Sequence, residues 1–136
     1  MMMTVRKKLL VVDDDQNFLV GFARLLRQQE KNWELILSTS VFDAFQKIRE
    51  NSIDVIVSDV FMPGTDGMEL LKFLKNGIHT SMIPIIMISG KNDAELKRQA
   101  LKLGALDLLN KPFKLEVLLE YLVNSLGEKN EPSNGV

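Results

Sequence analysis

Short apolar runs alternate with stretches whose apolar residues recur every three or four positions, and the alternation repeats five times along the chain. Residues 8–12 (KLLVV) read as a strand that stops at Asp13, Asp14 and Asp15. Over 16–29, Phe18, Phe22, Leu25 and Leu26 fall at helical spacing, and Asp15 is placed to cap that helix. A second strand is expected over 33–37. Ser38, Thr39 and Ser40 are candidate caps for a helix over 41–50 with Ala44, Phe45 and Ile48 turned inward. Residues 53–58 form a third apolar run, ending on the carboxylate of Asp59 and followed by the turn chemistry of Pro63, Gly64 and Gly67.

The pattern then repeats twice more. A helix is expected over 67–76 with Leu70, Leu71 and Leu74 on one face, a strand over 83–88 closing on Ser89 and Gly90, and a weaker helix over 93–103 around Leu96, Ala100 and Leu103. A brief strand over 106–110 leads to Lys111 and Pro112, and Leu115, Leu118, Leu119, Leu122 and Leu126 mark a last helix. Strands this continuously apolar are buried only in a parallel sheet covered on both faces. The fold class is therefore α/β, a doubly wound (βα)5 fold of flavodoxin-like type with strand order 2-1-3-4-5, whose binding crevice lies at the carboxyl ends of the strands. Residues 1–7 are read as an amino-terminal extension, 8–126 as the domain, and the polar 127–136 as a tail or linker.

Composition narrows the function without choosing it. With 136 residues, 46% of them hydrophobic and 26% charged, the chain suits one soluble globular domain. A formal net charge of -1 gives no case for nucleic-acid or membrane binding, and the basic run Arg6, Lys7, Lys8 is read as aiding solubility. Cysteine is absent, which excludes disulfides and thiolate chemistry and suits a cytoplasmic location. No apolar run approaches the length of a membrane span.

Four of the five strands end in groups that handle phosphoryl chemistry: Asp13 and Asp14, then Asp59, Ser89 and Lys111. Three carboxylates brought together repel by about 4 kcal/mol per pair at a 4 Å separation and an effective dielectric near 20, so they call for a cation. A hard, oxygen-ligated ion fits, and Mg²⁺ characteristically takes one or two carboxylates, several waters and a phosphate oxygen. An aspartate can act as a nucleophile and form an aspartyl phosphate, while a lysine ammonium and a serine hydroxyl can hold two further phosphoryl oxygens. Each group also has a plainer use, Ser89 in a turn and Lys111 at a solvated strand end.

The stretches LLVVDDD (9–15), SDVFMPGTDG (58–67), MISG (87–90) and LLNKPF (108–113) together resemble the response-regulator receiver domain of two-component signalling. The resemblance implies that Asp59 accepts a phosphoryl group from a sensor histidine kinase or phosphotransfer protein. It also implies that Asp14 ligates Mg²⁺ directly, that Asp13 acts mainly through water, and that the backbone carbonyl of Phe61 is a further ligand. By the same resemblance Ser89 would read the phosphoryl group, Lys111 would pair with it, and the peptide bond before Pro112 would be cis. A receiver turns over no metabolite beyond its own phosphorylation and dephosphorylation. It passes the signal to a downstream effector or a covalently linked output domain, through a surface implied to lie on the fourth helix, fifth strand and fifth helix.

Two positions depart from that pattern. Leu108 stands where receivers usually carry a switching Tyr or Phe, and Gly90 stands where alanine is common. The expected response is therefore carried by the loop after Ser89, the helix over 93–103 and the fifth strand, without an aromatic rotamer change. Phe61 is a candidate screen for the acyl phosphate, and His79, between the third helix and fourth strand, is given no role. Three alternatives stay open: an Mg²⁺-dependent phosphatase of haloacid-dehalogenase type, suggested by the Asp-x-Asp of 13–15; a flavin-binding carrier, which three aspartates after the first strand disfavour; and a receiver-like scaffold that does not cycle.

Overall fold

Strand and helix alternate through β1 (Lys7–Val12), α1 (Gln16–Arg27), β2 (Trp33–Ser38), α2 (Val41–Glu50), β3 (Val55–Asp59), α3 (Gly67–Lys75), β4 (Ile85–Ser89), α4 (Ala94–Lys102), β5 (Asp107–Asn110) and α5 (Leu115–Ser125). The computed structural model describes residues 6–29, 33–64 and 66–125. The expected tail, Leu126 and most of the amino-terminal extension lie outside the described residues. The five strands form one parallel sheet in the order β2-β1-β3-β4-β5, the doubly wound order expected.

Because side chains alternate across a strand, the sheet feeds two cores. Leu10, Val12, Ile56, Ile85, Met87 and Leu108 point to the face covered by α2, α3 and α4. Their sequence neighbours Leu9, Val11, Val55, Val57, Ile86 and Ile88 point to the face covered by α1 and α5. Burial on both faces is why these strands read as unbroken apolar runs.

Side-chain caps fix where the helices begin. The carboxylate of Asp15 accepts from Phe18 N, Ser40 Oγ from Asp43 N, Asp66 from Glu69 N and Asp93 from Glu95 N and Leu96 N, each cap contributing about 1 kcal/mol. Three strands start later than expected, and one helix face differs. The strand expected from residue 53 starts at Val55, because Asp54 ties itself to Lys8 through its carboxylate (2.7 Å) and its own N–H (2.9 Å). The strand expected from 83 starts at Ile85, since Pro84 has no N–H to give to the ladder. The strand expected from 106 starts at Asp107, leaving Leu106 exposed. In α1 the buried stripe is Leu19, Phe22, Ala23 and Leu26, and Leu25, expected inside, is 49% exposed. The stripe is phased on Leu19, and Leu25 lies about 100° around the helix from Leu26.

Candidate functional site

At the carboxyl ends of β1, β3 and β5 the structure gathers four charged side chains from three distant parts of the chain. Asp13 follows β1 directly, its N–H bonded to Ser38 O of β2 at 3.0 Å, and its side chain is fully buried. One carboxylate oxygen accepts from Asp15 N at 2.9 Å, and the other takes the Lys111 ammonium at 2.6 Å. Asp59 ends β3 and is 7% exposed, with Lys111 Nζ 3.6 Å from its Oδ2. Asp14 is exposed at the rim, and Asp13, Asp14 and Asp59 each place one carboxylate oxygen within 4.8 Å of the others.

Three acids therefore face one ammonium in a largely buried pocket. Burial first, and then the charge of Asp13, push the Asp59 carboxyl up to about 6, with Lys111 and the Phe61 N–H opposing. Burial works to lower Lys111, but the hydrogen bond to Asp13 and the charges of Asp59 and Asp13 outweigh it and hold the ammonium above the usual lysine value. An all-oxygen donor set with unneutralised negative charge matches what a hard divalent cation requires, so the residues present fit Mg²⁺.

The surroundings fix the acids in place. A Cβ on Gly67 would lie 1.9 Å from the Asp59 carbonyl oxygen, so only glycine lets α3 start directly against the end of β3. Gly67 N–H closes the turn onto Val60 O at 2.8 Å. The Lys111–Pro112 peptide is cis, as expected. Lys111 Nζ also sits 4.4 Å from the centre of the Phe18 ring, a contact the helical pattern of α1 does not reveal because it marks Phe18 simply as apolar.

The other expected residues take different positions. Phe61 is 43% exposed; its N–H points to Asp59 Oδ1 at 3.4 Å, and its ring lies 5.0 Å below the Lys91 ammonium. Ser89 ends β4, fully buried, in register one residue beyond the Asp59–Ile88 pair. Its hydroxyl is engaged by its own loop, accepting from Lys91 N at 3.0 Å and donating to Lys91 O at 3.4 Å. The same Lys91 carbonyl accepts from the Asn110 side-chain amide on β5. Lys91 and Asn110 were not legible as site residues; the only signal was their place beside Ser89 and Lys111. Gly90 has a φ outside the left-handed region and open space where a Cβ would stand, so its conformation does not demand glycine. Leu108 is packed in the α2–α4 core at 3% exposure. His79 is exposed in the turns after α3, at the opposite end of the sheet from Asp59. Among the described residues no helix is long and apolar enough to cross a membrane.

A family model described as the response regulator receiver domain matches residues 9–123. The transcriptional regulatory protein FixJ of Bradyrhizobium diazoefficiens is 36% identical over 132 residues, covering 96% of this chain and 62% of that protein. A two-component response regulator of Arabidopsis thaliana is 33% identical over 135 residues, covering 96% of this chain and 22% of its own length. The chain thus spans less than two-thirds of the length of either relative. Among solved structures, a putative response regulator from Chloroflexus aurantiacus superposes with a TM-score of 0.83 at 32% identity, covering 90% of this chain and 99% of that one. A chemotaxis response regulator of Vibrio cholerae gives a TM-score of 0.79 at 30% identity, covering 90% and 100%.

Proposed function

The chain belongs to the response regulator receiver family, and from that premise we propose that it is a phosphorelay switch in which Asp59 takes a phosphoryl group from the phosphohistidine of a sensor kinase or phosphotransfer protein. The observation that carries this reading is the approach of Asp13, Asp14 and Asp59 to within 4.8 Å of one another, with Lys111 bonded to Asp13 and close to Asp59.

In the reaction an Asp59 oxygen forms a bond to phosphorus while the phosphorus–nitrogen bond of the donor breaks, its electron pair staying on the imidazole. With its carboxyl near 6, Asp59 is ionised by about ten to one at pH 7 and needs no separate base. Asp13, Asp14, Asp59 and the carbonyl of Phe61 are the groups to hold Mg²⁺, which when bound offsets repulsion between the carboxylates and the incoming phosphoryl oxygens. Lys111 is anchored on Asp13 more tightly than on Asp59, so it can turn one of its protons to a phosphoryl oxygen without leaving the pocket. Phe61, two residues after the acceptor and with its ring exposed, would hinder water from reaching the acyl phosphate.

Readout begins at Ser89. To donate to the phosphoryl group its hydroxyl must give up the Lys91 carbonyl, and Asn110 is then left as the link from that carbonyl to β5. This junction couples the loop after Ser89 to β5, where Leu108 offers no aromatic switch. On the α4–β5–α5 face, Asp107 pairs with Lys97 at 3.4 Å and accepts from the Tyr121 hydroxyl, tying all three elements together. The output partner is a downstream effector or a linked output domain. Transcriptional regulators among the relatives suggest the second, with nucleic-acid contact assigned to that further domain. The phosphatase alternative loses its second acid, because Asp15 is exposed and spends its carboxylate capping α1.

Amide NMR of the chain with beryllofluoride and Mg²⁺ tests the reading. Shifts are expected at Asp59, Ser89 to Lys91, α4 and β5, and none in Asp59→Asn. Shifts confined to the acidic pocket overturn the coupling, and no shifts at all overturn acceptance at Asp59.

A further inference from the structure

The face formed by α2 and α3 carries aromatic surface that neither the acidic pocket nor the sheet accounts for. Phe42 on α2 is 72% exposed and Phe73 on α3 is 65% exposed, although both lie on helices whose opposite sides are packed on the sheet. The half-buried Phe45 joins them, its ring edge-on to Phe73 at 4.9 Å between centroids. Two shallow grooves meet at this pair, one running toward Asn76 and Gly77 and the other toward Ile48 and Thr80. Ile78, which follows the groove-lining Gly77 in the turn after α3, is 88% exposed. The aromatics rise as a ridge above the two grooves.

We propose that this ridge is a self-association surface, and that its occupant is the same face of a second copy of the chain. The first argument is area. At the 150–250 Å² that an aromatic side chain presents, Phe42, Phe73 and Ile78 with the edges of Phe45 and Ile48 expose roughly 500 Å², as large as the biggest apolar patches that monomeric proteins tolerate. Two such faces bury about 1,000 Å² together, the lower limit for a specific interface and consistent with a weak dimer.

The second argument is charge. The face carries both signs: Glu69 and Lys72 of α3 rim the first groove, and Arg49 of α2 rims the second. A patch of one sign would call for a foreign partner of the other sign. A mixed patch complements itself when two copies meet about a two-fold axis, because each copy supplies both members of every pair. Glu69 and Lys72 are three residues apart on one exposed stripe of α3, so antiparallel α3 helices place Glu69 of each copy by Lys72 of the other. The face lies across the sheet from α1 and α5 and includes none of the strand-end groups, so pairing here leaves the acidic pocket open and is independent of Asp59.

Sedimentation equilibrium of the whole chain from a few to several hundred micromolar tests this. Wild type is expected to dimerise at tens of micromolar, with or without beryllofluoride and Mg²⁺. Phe42→Glu and Phe73→Glu are each expected to weaken the dimer at least tenfold, while Leu101→Glu, an exposed apolar position on α4, leaves it unchanged. Glu69→Lys and Lys72→Glu are exposed substitutions that fold in any case. Each alone is expected to weaken pairing, and an equimolar mixture of the two to restore it. A wild type that stays monomeric throughout, or a dimer indifferent to both phenylalanine substitutions, overturns the proposal. A mixture that fails to re-associate overturns the two-fold pairing of Glu69 with Lys72.

Discussion

Replacing Gly67 with alanine tests how the site is built without touching a charged group. The added Cβ would stand 1.9 Å from the carbonyl oxygen of Asp59 and 2.9 Å from its carbon, both backbone atoms at the end of β3. No rotamer change relieves such a contact; either the start of α3 or the end of β3 must move by about 1 Å in an interior packed near crystal density. The Gly67 N–H bond to Val60 O, at 2.8 Å, resists that movement. Overpacking of this kind costs about 1–3 kcal/mol and sometimes more, against at most about 1 kcal/mol gained from alanine in a helix. A net loss of about 2–3 kcal/mol is expected, lowering the thermal midpoint by about 10 °C for a chain of this size. Because the displaced carbonyl belongs to the proposed acceptor, phosphorylation by acetyl phosphate should also slow by tenfold or more, as misplacement of about 1 Å commonly does. Gly21→Ala is the matched control: it lies inside α1 with nothing within 4 Å of its Cβ and should stabilise by about 0.5–1 kcal/mol. Urea midpoints for the three proteins decide the matter, and a Gly67→Ala chain as stable as wild type would refute the packing argument.

Other outcomes follow from the same geometry. The Asp59 carboxyl is raised from 3.8 to about 6 in the folded chain, so the native state holds this proton more tightly than the unfolded state, and stability from this group is lost as pH rises from 3.8 through 6. In Mg²⁺-free buffer Asp59→Asn should therefore be more stable than wild type at pH 7.5, by up to about 3 kcal/mol, and should lose that advantage by pH 4; a gain that does not change with pH in urea unfolding contradicts it. Phe61→Asn should lose the phosphoryl group several-fold faster than wild type, and equal dephosphorylation rates dispose of the screening role. Asn110→Leu should cost under about 1 kcal/mol of stability while shrinking the beryllofluoride-induced shifts in β5, whose persistence at full size would remove Asn110 from the coupling. Asp15→Ala should cost about 1 kcal/mol through the lost α1 cap and leave phosphorylation intact, a split visible in urea midpoints and labelling yields.

Much of the architecture was legible because burial on both faces of a parallel sheet leaves a mark that survives in one dimension. The runs through Val11, Val57 and Ile88 could only be interior strands, and once their order is 2-1-3-4-5, Asp13, Asp59 and Lys111 must converge. Strand starts were less legible, since they depend on single contacts such as Asp54 to Lys8 or on the missing N–H of Pro84. Least legible was the wiring around the acids. The Ser89 hydroxyl is turned into its own loop by Lys91, and that loop is held by Asn110 from nineteen residues further along the chain. Phe18, an ordinary apolar position in α1, proves to be the surface on which Lys111 rests. Periodicity reports which face of an element is buried; it carries nothing about which loop group bonds to which once the faces have met.

The account stands most directly on phosphoryl transfer to Asp59. Intact mass after incubation with acetyl phosphate and Mg²⁺ should show one phosphoryl group per chain in the wild type, none in Asp59→Asn, and none when the metal is chelated. A wild type that stays unmodified, or an Asp59→Asn chain that labels to the same extent, would contradict the assignment of Asp59 as the acceptor.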